Sequence, residues 1–197
     1  MTLQLLFSEK RQKSTVIYTA QFLDANVPSE STILRIDINP FPRGAKKRQS
    51  ALICKNDEPV VILCIYVEVD DNSLLLEQCF RGLLLSENKI ALLYDQHVHL
   101  FDTISHEVKS IYLHDYVGHL SPIPDIDSGV LSDTVIVTTF LYTFLIHVDS
   151  GIIWQSKQCA IDGVIIDEVQ DNVIYGSGGW EPFRLSLNTG HVIHPIE

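Results

Sequence analysis

Apolar positions along the chain come in short runs rich in Val, Ile, Tyr, Phe and Thr, separated by Gly, Asn, Asp and Ser, with almost no 3.6-residue periodicity. That pattern predicts strands at Thr15 to Phe22, Thr32 to Ile38, Ser50 to Cys54, Val60 to Val69, Leu74 to Cys79, Ile90 to Tyr94, Val98 to Phe101 and Val108 to Leu113. It continues with Thr134 to Thr139, Thr143 to Val148, Ile152 to Gln155, Gly163 to Ile166, Asn172 to Gly176, Phe183 to Leu187 and His191 to His194. Many short strands at such spacing define an all-β chain, either a small propeller of antiparallel sheets or a β-sandwich. Residues 1–197 are read as one domain, since the chain suffices for one well-buried core and is short for two.

Self-similarity favours the propeller. Three stretches align: NKIALLYDQHVHLFDTISHEVKSI from Asn88, TVIVTTFLYTFLIHVDSGIIWQS from Thr134, and NVIYGSGGWEPFRLSLNTGHVIH from Asn172. Each holds a strand, a tight connection, a second strand, a polar turn and a third strand. Their starts lie 46 and 38 residues apart, near the ~40–45 residues of a propeller blade. Asp149-Ser150-Gly151 and Asn188-Thr189-Gly190 place glycine where a short hairpin needs positive φ, beside an Asp or Asn able to bond the turn backbone.

The segments DSGIIW (Asp149 to Trp154) and NTGHVI (Asn188 to Ile193) resemble the blade ends of quinoprotein-type β-propellers, in which such a turn leads into a strand carrying tryptophan. Trp154 comes three residues after its glycine rather than that family's usual four, and the second copy has no tryptophan there. GGWEPFRLSLNTG also resembles a tail of small bacterial proteins of the immunity type, which neutralise secreted toxins. The second resemblance implies a binding function, and neither carries catalytic or cofactor residues over; at ~40 residues per blade, 197 residues give four or five blades. The last repeat leaves room for about three strands where a blade has about four. The sequence therefore predicts that an N-terminal strand, Leu3 to Phe7 or Thr15 to Phe22, closes the last blade.

Charge sharpens this picture through its distribution. The net charge is −11, but residues 1–55 carry nine Lys/Arg against four Asp/Glu, whereas residues 56–197 carry five against 21. The basic share concentrates at Lys10, Arg11, Lys13 and a solvated loop RGAKKR (Arg43 to Arg48); the acidic remainder would repel nucleic acid and attract a basic protein. The N-terminus lacks an export-signal pattern, and the apolar stretch Val135 to Val148 is shorter than the ~20 residues of a membrane helix. Cys54, Cys64, Cys79 and Cys159 show no CxxC pairing, so a cytoplasmic setting without a membrane partner is expected.

Candidate chemistry is sparse. His97 and His99 share a strand face with His106 nearby, yet a zinc site needs three or four convergent ligands, so solvent-facing or cross-strand histidines are expected instead. His114 and His119, flanking Asp115, are read the same way. Gly176-Ser177-Gly178-Gly179 fits neither a nucleophile elbow nor a phosphate loop, and reads as a place where a strand bends or approaches another backbone closely. Asp70-Asp71, Asp125-x-Asp127 and Asp167-Glu168 read as solvated turns; SPIPDIDSG only loosely resembles a calcium loop.

The expectation is thus a non-enzymatic protein-binding module without cofactor or metal, of the immunity type, whose partner is a basic toxin domain. Contacts are expected at Trp180, Glu181, Tyr142, Asp125, Asp127, Asp167 and Glu168. The alternatives are a small-ligand or metal-binding propeller with enzymatic activity, and a scaffold subunit of a larger assembly.

Overall fold

The structure is a computed structural model, describing residues 17–23, 33–41, 43–68, 81–86, 88–123, 133–179 and 181–193. The described residues form four sheets in succession. The first contains β1 (Tyr18–Leu23), β2 (Leu34–Ile38), β3 (Ala45–Lys55) and β4 (Glu58–Glu68), in the order β1-β3-β4-β2 with β2 parallel to β4. The second runs β5 (Gly82–Ser86), β6 (Lys89–Tyr94), β7 (His97–Asp102), β8 (Val108–Tyr112) as an antiparallel meander. The third repeats it with β9 (Val117–Pro122), β10 (Thr134–Thr139), β11 (Thr143–His147) and β12 (Gly151–Gln155).

The fourth has β13 (Val164–Gln170), β14 (Val173–Gly178) and β15 (Glu181–Ser186). Beyond β15 the chain turns at Gly190 and runs back along the edge, with Ile193 N–H donating to Arg184 O and Ser186 N–H to His191 O. The three repeats therefore coincide with β6 to β8, β10 to β12, and β14 to residue 193. First strands meet from sheet to sheet, β1 with β5, β5 with β9 and β9 with β13, a propeller-like all-β succession.

Burial explains the apolar runs. β10 is buried at every residue, because Val135 and Val137 pack toward the second sheet while Ile136 packs toward the fourth. Between the first and second sheets lie Ile53, Leu63 and Ile65 against Ile90, Leu92 and Phe101. Each such wholly buried side chain contributes about 1.5–3 kcal/mol relative to exposure.

Side chains on outer strands pin neighbouring sheets together. The Trp154 ring on β12 lies across Gly190, where a Cβ would come within 2.5 Å of it, and its Nε1 donates to Leu187 O at 2.8 Å. Lys109 on β8 makes the corresponding contact, its Nζ donating to the carbonyls of Asp149 (3.1 Å) and Ser150 (2.8 Å) in the third sheet's hairpin. Lys89 ties the same seam by pairing with Asp102 at 2.5 Å and Asp149 at 3.0 Å. Gly178 serves a different approach: the chain from Cys159 to Ala160 crosses β14 there, and a Cβ on residue 178 would come within 2.7 Å of the Ala160 Cα.

Several expectations need correction. The strand foreseen at Thr15 to Phe22 is β1, and it pairs with β3 in the first sheet rather than closing the last one. Its apolar side chains Tyr18, Ala20 and Phe22 pack with the core shared by the first and second sheets. RGAKKR is not wholly a loop, because β3 begins at Ala45 and pairs Lys46 with Val67. Strands β5 and β9 were not foreseen; Leu3 to Phe7 and Leu74 to Cys79 lie outside the described residues.

The Trp154 pin is testable by urea denaturation. Gly190→Ala should destabilise the protein by about 1–3 kcal/mol, from positive φ and overpacking, and Trp154→Phe by about 1–2 kcal/mol, from the lost hydrogen bond. The double variant should lose less than the two single losses together, since they share one contact. Unchanged midpoints in both single variants would show that the pin carries no stability.

Candidate functional site

The last sheet turns one face toward the third sheet and the other outward. Ile174 and Leu185 pack inward with Trp154 and Leu145. Cross-strand register then places Ile165, Ser177 and Pro182 side by side on the opposite face, followed by Glu168, Tyr175 and Arg184. Directly paired residues share a face, and residues two apart on a strand return to it. Ile165 is 52% exposed, Glu168, Pro182 and Arg184 are exposed, and Ile193 extends the row beside Arg184. The Arg184 guanidinium sits 5.6 Å from the Tyr175 ring centroid, a cation–π contact that spreads the guanidinium over an apolar surface. Asp167, Glu168, Tyr175, Pro182, Arg184 and Ile193 are among the residues lining a hollow of about 550 Å³ here.

Asp167 occupies a bulge between Ile166 and Glu168, where β13 gains a residue relative to β14. The bulge re-aims the strand: Ile166 and Val169 both pack inward while Glu168 stays outward. Glu181 is exposed and lies opposite Gly178 on the side facing the third sheet, beside Asp162 and Ile161 in a second hollow of about 620 Å³. Ile161 is 80% exposed at its rim.

The foreseen contact residues are thus only partly brought together. Asp167 and Glu168 flank the outer hollow, and Glu181 borders the other side of the same sheet. Tyr142 lies elsewhere, half-buried in the turn between β10 and β11, packed on the core between the second and third sheets and edge-on to Phe144 at 6.3 Å. Trp180, Asp125 and Asp127 lie outside the described residues. Ile165, Tyr175 and Arg184 were not singled out from sequence; the signal available was the alternation of VIYGSG and EPFRLS, which puts Tyr175 and Arg184 opposite the core residues Ile174 and Leu185.

His97 and His99 do share one face, but they are buried core residues rather than the solvent-facing ones the sequence suggested. His97 and His99 stack with centroids 5.5 Å apart and rings 4° from parallel; Phe41 meets His97 edge-on at 5.3 Å, and His99 Nδ1 bonds Ser110 Oγ at 2.9 Å. Burial pushes His97 down to about 4, and burial with the neighbouring His97 pushes His99 down to about 3, so both are neutral at neutral pH. His106 and His114 are exposed; His106 stacks on Phe101, and His114 meets the Tyr112 ring at a 53° tilt with centroids 4.3 Å apart. Asp115, between His114 and Tyr116, accepts hydrogen bonds from the Tyr116 and Leu141 amides and anchors the β10–β11 turn. Among the described residues no three His, Cys, Asp or Glu side chains converge as metal ligands. No helix among them is long and apolar enough to cross a membrane.

Compared with known proteins, the chain matches no family model and no curated protein.

The histidine stack generates a pH dependence. Both folded-state values lie below the ordinary 6.5, so the unfolded chain takes up more protons as pH falls. Stability should be full above about 6.5 and decline toward pH 4, each histidine adding a slope approaching about 1.4 kcal/mol per pH unit. Asp102, held to about 2 by its hydrogen bond from Lys89, acts in a separate window: its contribution is full above 3.8 and lost as pH falls through about 2. Urea unfolding between pH 7.5 and 4.5 should show a steeper decline for the wild type than for His97→Phe/His99→Leu, and equal slopes would contradict this assignment.

Proposed function

We propose that the chain is a protein-binding module that docks a basic protein domain, acting as a bacterial immunity protein that neutralises a cognate toxin in the cytoplasm. The observation that supports this reading is the last sheet, whose outer face presents apolar and aromatic side chains beside Asp167 and Glu168. Residues 161–193 contain Asp162, Asp167, Glu168, Asp171 and Glu181 against Arg184 alone. Neutralisation needs no chemistry from the binder. It requires anchors that exclude water and a surrounding field that steers the cationic partner, which accelerates association more than it slows dissociation.

Affinity capture from the native source, followed by calorimetry on the purified captured protein, tests the proposal. The expected partner has an isoelectric point above about 9, binds more slowly as salt rises from 0.05 to 0.5 M (about 14 to 4 Å of screening length), and arrests growth when expressed without this chain. Capture of no protein, or a partner whose toxicity this chain leaves unchanged, would refute it.

A further inference from the structure

We propose that the outer face of the last sheet is a docking surface for a cationic β-sheet face of the partner, which takes the place of a following sheet. This rests on the protein-binding reading above and names where and what it binds. The third residues of β6, β10 and β14 are Ala91, Ile136 and Tyr175. Ala91 packs with the third-sheet residues Val135 and Phe144, and Ile136 packs with the fourth-sheet residues Ile174 and Leu185; both are buried by the sheet that follows. Tyr175 has the same place in its sheet and points outward, half-exposed, toward Arg184. The face that is an interface twice within the chain is thus presented a third time with Ile165, Pro182 and Ile193 exposed.

Charge selects the occupant. A two-fold pairing of this face with a second copy would set Asp167 and Glu168 near their own equivalents, with one arginine per copy, Arg184, to offset the two carboxylates of the face. A head-to-tail copy would need the far face of the first sheet, where Leu52, Ile62 and Cys64 are already buried. A partner face with Lys or Arg around an apolar centre meets neither obstacle. It would pair with Asp167 and Glu168 while covering Ile165 and Tyr175, an apolar centre inside a charged rim.

The test uses the full ¹⁵N-labelled chain and two synthetic β-hairpins sharing one face of Val and Tyr, one flanked by lysines and its twin by glutamates. Amide shifts should concentrate in β13 to β15, with the lysine hairpin binding at least tenfold more tightly than its twin. Ile165→Asp should weaken the lysine hairpin at least tenfold, while Ile104→Asp, at a 68% exposed residue of the β7–β8 turn, should leave it unchanged. Shifts centred on another sheet, equal loss in both variants, or a wild-type dimer dispersed by Ile165→Asp would overturn the proposal. Undiminished binding of the captured partner to Ile165→Asp would overturn the docking surface alone and leave the protein-binding reading standing.

Discussion

Everything in this structure depends on sheets that cannot bury their own faces. A three- or four-stranded sheet has two faces, and one of them left in water forfeits most of its apolar stabilisation. The chain resolves this by stacking sheet on sheet, and the stack is held in register by contacts at its outer strands. Trp154 shows how close those contacts are: the indole lies against a glycine at positive φ, where a Cβ would come within 2.5 Å of the ring, and its N–H meets the Leu187 carbonyl next to it. Lys109 achieves the same link with a cation on carbonyls, so neighbouring seams use different chemistry for one geometric purpose.

This arrangement also accounts for where polar residues are tolerated inside. The His97 and His99 rings occupy the same face of β7 as Phe101, and they behave there as aromatic packing units rather than as bases. Keeping them neutral removes the charge that burial would penalise, at the cost of acid sensitivity. Asp102 illustrates the opposite solution. Its carboxylate accepts from the Ile104 and Ser105 amides and pairs with Lys89, so the charged form is the stable one and the turn is held by it.

Much of the fold was legible in the sequence because turn chemistry and strand period agree in the repeats. Gly151 and Gly190 do adopt positive φ, as the DSG and NTG turns require, and Thr134 to Thr139 is a strand over the foreseen residues. Strands β5 and β9 were invisible for a physical reason. They are the first strands of their sheets, crowded against one another, and close approach there admits small residues that break the apolar pattern: a Cβ at Gly82 would meet the Leu120 Cβ at 3.1 Å, and VGHLSP carries no alternation at all. The outer face was half legible. Asp167 and Glu168 read as a solvated turn; they are exposed, but they lie within β13, and their relation to Tyr175 depends on a bulge that a two-residue count does not anticipate. The histidine face was readable from spacing, and its burial, which depends on a neighbouring sheet, was not.

A stack whose last face exposes Ile165, Pro182 and Ile193 beside Asp167 and Glu168 fits a cover of opposite charge. Hydrogen–deuterium exchange on the complex with the captured partner tests this most directly. Amides of residues 164–186 should gain protection on binding while those of β6 to β8 keep their free-state rates. Protection centred on the first or second sheet, with residues 164–186 unchanged, would contradict it.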